Sequence, residues 1–111
     1  MPVISLRIDL DDGGRIGPGK IALLEKIAET GSISSAARAM GMSYKRAWNL
    51  VDETARLLGE AVVETRAGGA LGGGARLTPA GERILVHFRA IEEAAAKVAG
   101  PHIDVMLNVK D

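Results

Sequence analysis

The stretch SISSAARAMGMSYKRAWNLVDE, Ser32 to Glu53, holds two helix-like runs separated by the break Gly41-Met42-Ser43. Ser32 suits the cap of a short helix reaching about Met40, and Ser43 the cap of a longer one reaching about Leu58. Gly41 can take the positive φ that a tight turn between them needs. Ala37, four residues earlier, is a small side chain where two helices would cross. Ala36, Met40, Met42, Ala47 and Leu50 are apolar where such a pair packs inward, and Ala47, Leu50, Val51 and Leu58 give the longer helix one buried face. These features describe a helix-turn-helix over about 32–58. Its outer face and flanks then carry Tyr44, Lys45, Arg46, Trp48, Asn49 and Asp52.

The charge pattern gives that face a meaning. The chain has 14 basic and 14 acidic residues and no net charge. Yet from Thr30 to Val51 the only charges are Arg38, Lys45 and Arg46, and from Thr65 to Gly81 only Arg66 and Arg76. All the acids lie elsewhere. A chain polarised in this way can offer one face to a polyanion while its other faces stay acidic.

Outward from this centre, VISLRIDL (Val3 to Leu10) alternates apolar and polar residues, as a half-buried strand does. A turn-rich DDGGRIGPG follows, with Pro18 placed for the first turn of a helix running to about Thr30. That helix should bury Ile21, Leu24, Ile27 and Ala28 and end at Gly31. After Gly59, AVVETR and ARLT read as the two strands of a hairpin whose tip is the glycine-rich GGALGGG. Thr78-Pro79 opens a helix to about Ala99. Its residues Ile84, Phe88, Ile91, Ala95 and Val98 are spaced as a heptad seam, which suits a dimer contact, with packing inside the monomer as the alternative. Gly100-Pro101 reads as a stop, and HIDVMLNV as a final strand. The expected fold is mostly α with a small β component. It is one winged helix-turn-helix domain over 1–111, with an N-terminal strand, a wing at about 61–77 and a long dimerisation helix at about 79–99.

The matching segments TGSISSAARAMGMSYKRAWNLVDE and VVETRAGGALGGGARLTPAGERI resemble the N-terminal domain of molybdate-responsive transcriptional regulators of the ModE type. The winged helices of that family are close to those of LysR-type regulators. The resemblance spans roughly Ile4 to Lys97, and its most specific part is Ser43-Tyr44-Lys45 with Ala47-Trp48, joined to the polyglycine wing. It implies a homodimer that binds double-stranded DNA, with the fourth helix and the terminal strand contributing to the dimer. Full-length members of the family continue into a molybdate-binding region, whereas this sequence stops at Asp111. Oxyanion sensing therefore cannot be carried over residue by residue, and no cofactor is expected.

Other chemistries find little support. Apolar content is 47% and there is no cysteine, which excludes disulfides and thiolate metal sites. The apolar runs are too short for a membrane span, and the acidic, alternating N-terminus is unlike a signal peptide, so a cytoplasmic protein is expected. The glycine run lacks the Gly-Lys-Ser/Thr and following helix of a phosphate loop. His87 and His102 stand apart, and no Ser/His/Asp set is discernible, so an enzyme is not expected. Candidate DNA contacts are Ser43, Tyr44, Lys45, Arg46, Trp48, Asn49, Arg66 and Arg76. Arg46 and Asn49 suit base edges, and Lys45, Arg66 and Arg76 suit the backbone. Tyr44 fits phosphate or base. Trp48 is either an anchor between the helix and the wing or a DNA-facing side chain. The competing function is a winged-helix module that binds protein instead.

Overall fold

The computed structural model describes residues 3–66 and 74–108. The element order is β1 (Ile8–Asp9), β2 (Arg15–Ile16), α1 (Pro18–Thr30), α2 (Ile33–Ala39), α3 (Tyr44–Leu58), β3 (Val63–Arg66), β4 (Gly74–Leu77) and α4 (Pro79–Met106). Each of the two sheets is a single antiparallel pair, β1 with β2 and β3 with β4.

Local signals fix most boundaries. Pro18 opens α1, and Gly31 ends it at φ +71°, its N–H reaching the Ile27 carbonyl. The Ser32 hydroxyl accepts from the Ser35 N–H at 3.1 Å, and the Ser43 hydroxyl from the Arg46 N–H at 3.0 Å. Gly41 stands between α2 and α3 at φ +67°, the left-handed conformation that a side chain would strain. Leu23, Leu24 and Ile27 of α1, Ala36 and Ala37 of α2, and Ala47, Leu50 and Val51 of α3 converge with Val62 and Leu77 into the main core. On α1, Ala28 is exposed, and Leu23 is buried in its stead. Ile21, Leu24 and Ile27 are buried as expected, so the buried arc is turned by less than one residue position. On α3 the buried row ends with Thr54, whose hydroxyl donates to the Leu50 carbonyl at 2.8 Å, and Leu58 is only partly buried.

Alternating burial from Val3 to Leu10 holds, but only Ile8 and Asp9 enter a ladder, opposite Ile16 and Arg15. Leu6, Ile8 and Leu10 pack on a second small core of Ile16, Ile21 and Phe88.

The wing root is joined to α4 by Thr78. Its hydroxyl donates to the Ala61 carbonyl at 2.7 Å and accepts from the Gly81 N–H at 3.1 Å, while its own N–H reaches the Val62 carbonyl at 3.0 Å. Gly81 has to be glycine, because a Cβ there would overlap the Val62 carbonyl oxygen. The Ala75 N–H donates to the Gly31 carbonyl at 2.8 Å, tying β4 to the turn between α1 and α2. Arg89 joins α4 to α1 through Glu25 at 2.9 Å and is braced by Glu92 at 2.7 Å. Its pKa is raised further by the hydrogen bond to Glu92 and then by that to Glu25.

The expected stop at Gly100-Pro101 and the final strand are corrected. Helix α4 passes through both residues to Met106, and residues 101–106 are helical, while Val109 lies outside the described residues. Proline removes only its own N–H and crowds one carbonyl of the preceding turn. Ala96, Ala99, Gly100 and Ile103 border an open groove with Val3 and Ile4 and keep helical spacing across the proline.

The seam along α4 divides. Phe88 is 2% exposed in the single chain, so it belongs to that chain's own core, and Ile84 packs against both cores. The side chain of Phe88 is thus unavailable to a dimer surface. Ile91 (47%) and Val98 (68%) are exposed, and Val105 (79%) continues their seven-residue interval. Ala95 is partly buried.

Candidate nucleic-acid interface

The geometry of α3 sorts its side chains by angle. At about 100° per residue, the buried residues Ala47, Leu50, Val51 and Thr54 form one arc. Lys45, Asn49 and Asp52 fall opposite its centre and are exposed. Tyr44 and Trp48 occupy one flank, with ring centroids 6.3 Å apart in an edge-on contact. Arg46 and Glu53 occupy the other.

The two flanks face different partners. Tyr44 borders a groove with Ser32, Ser34, Thr65 and Arg66, between the start of α2 and the wing. Arg46 borders a groove with Arg7, Arg15 and Lys20, toward the N-terminal hairpin. The outermost row of α3 is thus Lys45 with Asn49. Trp48, 37% exposed, has its ring against Tyr44, on the wing flank.

Ion pairing refines the charge map. Among the described residues, Arg38, Lys45, Arg46 and Arg66 make no ion pair, although eight ion pairs are formed elsewhere. Arg76 differs from the other candidates. The hairpin register sets it opposite Glu64, and its Nε meets the Glu64 carboxylate at 2.9 Å. Glu64 lies one residue before the acid-free stretch, so only strand pairing brings it to Arg76. Asp52 is likewise offset by Arg56 at 2.7 Å. Ser43 spends its hydroxyl on the α3 cap. The glycine-rich wing tip lies outside the described residues, which end at Arg66 and resume at Gly74.

Sequence reasoning gave no role to Arg7, Arg15 and Lys20. They lie outside the helix-turn-helix segment, and the β1–β2 hairpin brings Arg7 and Arg15, and the start of α1 brings Lys20, beside Arg46. Among the described residues no group of three or more His, Asp or Glu could hold a metal ion, and no helix is long and apolar enough to cross a membrane.

The comparisons agree with this geometry. Molybdenum-pterin-binding protein MopB of Rhodobacter capsulatus is 50% identical over 86 residues, which cover 78% of this chain and 32% of that protein. The DNA-binding transcriptional dual regulator ModE of Escherichia coli (strain K12) is 46% identical over 68 residues, 61% of this chain and 26% of its own length. The chain thus spans about a third or less of the length of these relatives. The CbnR DBD in its DNA complex has the same fold, with a TM-score of 0.62 at 22% identity over 79% of this chain and 95% of that one. The likeness to molybdenum-linked regulators that Ser43–Trp48 and the glycine wing suggested holds across these relatives. The model for bacterial regulatory helix-turn-helix proteins of the lysR family matches residues 19–82, and the chain belongs to that family.

Proposed function

We propose that this chain is a transcription regulator that binds double-stranded DNA as a homodimer, on a pseudo-palindromic operator, in the control of molybdate transport or metabolism. The observation that carries the DNA reading is the set of exposed cations of the helix-turn-helix and wing, Arg38, Lys45, Arg46 and Arg66, with no ion-pair partner among the described residues. Cations left unpaired at the N-terminal half of an exposed helix suit the walls of a major groove. The link to molybdate rests on the names of the relatives.

Angular position assigns the roles. Lys45 and Asn49, opposite the buried arc, read base edges: the ammonium suits guanine and the amide suits adenine. Arg46, turned toward the hairpin, takes a phosphate, so the roles of Lys45 and Arg46 are exchanged relative to the assignment from sequence. Tyr44 and Arg66 face the opposite strand of the groove, and Trp48 supports Tyr44. Arg76, already bound to Glu64, contributes less charge than Arg66.

Dimerisation is supported by the exposed row Ile91, Val98 and Val105, which repeats every seven residues along α4. Selection of bound fragments from genomic DNA tests the proposal. It should recover an inverted repeat with half-sites about one helical turn, 10–10.5 bp, apart, located beside genes of molybdate uptake. A slope of log K against log salt near zero for duplex DNA would overturn the reading and favour a protein-binding module.

A further inference from the structure

We propose that the β1–β2 hairpin is a second phosphate-binding surface, which grips the DNA backbone on the side of α3 away from the wing. The inference rests on the DNA-binding reading above and adds a contact outside the matched family segment, since residues 19–82 exclude the hairpin.

The observation is a groove of about 300 Å³ between α3 and the hairpin, with Arg7, Arg15, Lys20 and Arg46 among its walls. Four cations gathered around one open groove repel one another unless acids offset them, and the offset here is incomplete. Lys20, whose side chain is 14% exposed, is held by the Arg15 carbonyl at 2.8 Å and by Glu53 at 3.5 Å. It forms part of the floor. Arg7 lies along Asp9 at 2.8 Å. Arg15 and Arg46 remain, both exposed and both without an ion-pair partner among the described residues. Two guanidinium groups bordering one open groove match the planar, multiply accepting surface of a phosphate.

The position of the groove selects a duplex phosphate over a free one. Arg46 sits on the same helix as Lys45 and Asn49, turned toward the hairpin, while Tyr44 is turned toward the wing. A helix lying in the major groove has a sugar–phosphate strand on each side. The wing flank meets one strand, and the hairpin flank is placed to meet the other. Arg15 is held for that task by the ladder, where Asp9 pairs with Arg15 and Ile8 with the buried Ile16.

The test measures binding of the full chain to a random-sequence duplex long enough for both half-sites, across a salt series. Arg15→Ala should reduce the slope of log K against log salt by about 1 per protomer. Arg15→Lys should restore it, because position and charge are kept. The thermal midpoint of Arg15→Ala should match wild type, since the side chain is exposed and unpaired. If Arg15→Ala keeps the wild-type slope while Arg66→Ala, on the wing flank, lowers it, the hairpin does not touch DNA and this inference is overturned. If the wild-type slope is itself near zero, the DNA-binding reading fails.

Discussion

Replacing Thr78 by valine preserves shape and deletes one hydroxyl, and the structure sets the consequence. That hydroxyl accepts the Gly81 N–H at the start of α4 and donates to the Ala61 carbonyl just before β3. Loss of an N-cap costs about 1 kcal/mol. Loss of the second bond costs a further ~1 kcal/mol, held down because Ala61 is exposed and water can reach its carbonyl. The sum is about 2 kcal/mol. In a domain of 111 residues, each 1 kcal/mol moves the melting midpoint by roughly 4 °C, so a fall of about 8 °C is expected. Thr78→Ser keeps both bonds and forfeits one methyl group, at about 0.8 kcal/mol. Thermal unfolding followed by circular dichroism, with urea titration as a check, measures both variants. The hydroxyl also fixes the root of the wing, so Thr78→Val should weaken duplex binding at temperatures where the protein remains folded. Equal midpoints for the valine and serine variants would refute the assigned role of the hydroxyl.

Phe88→Ala should destabilise the monomer by about 3–5 kcal/mol, measured by urea unfolding, because the ring closes the core of Ile16 and Ile21. Val98→Glu should leave that stability unchanged and shift sedimentation toward monomer, and a wild type already monomeric at micromolar concentration would exclude the seam. Gly41→Ala should cost about 1–2 kcal/mol through its left-handed φ, read from the same unfolding curves. Pro101→Ala should leave the helical circular dichroism signal nearly unchanged, since α4 is already continuous through that position, whereas a helix that the proline stopped at Gly100 would lengthen and gain signal.

What the sequence disclosed was mainly what neighbours along the chain decide. Ser32, Ser43 and Thr78 cap the helices they were expected to cap, and Gly31, Gly41 and Gly59 take positive φ at the breaks. Pairing across distance was harder to see. The strand partner of Ile8–Asp9 lay inside a segment that read as turn, and Glu64 met Arg76 only through hairpin register. A heptad spacing states that one face of α4 is apolar without stating what covers it, and Phe88 proved to be covered by its own chain. The outer residues of α3 were named correctly as a set. Their division into centre and flanks required the direction of the buried arc, which Thr54 helps to define and which a serine-like residue does not announce in a sequence.

The hydrogen bond from the Ala75 N–H to the Gly31 carbonyl has a mechanical consequence. Gly31 ends α1 and Ser32 begins the cap of α2, so the returning strand of the wing is pinned to the frame from which α3 is hung. The wing strands and α3 therefore resemble the two jaws of a caliper mounted on one frame. On the DNA-binding reading proposed above, a shared frame of this kind shifts part of the fit onto the duplex. Base pairs between the two jaws, touched by neither, would then influence affinity through how readily they bend and twist.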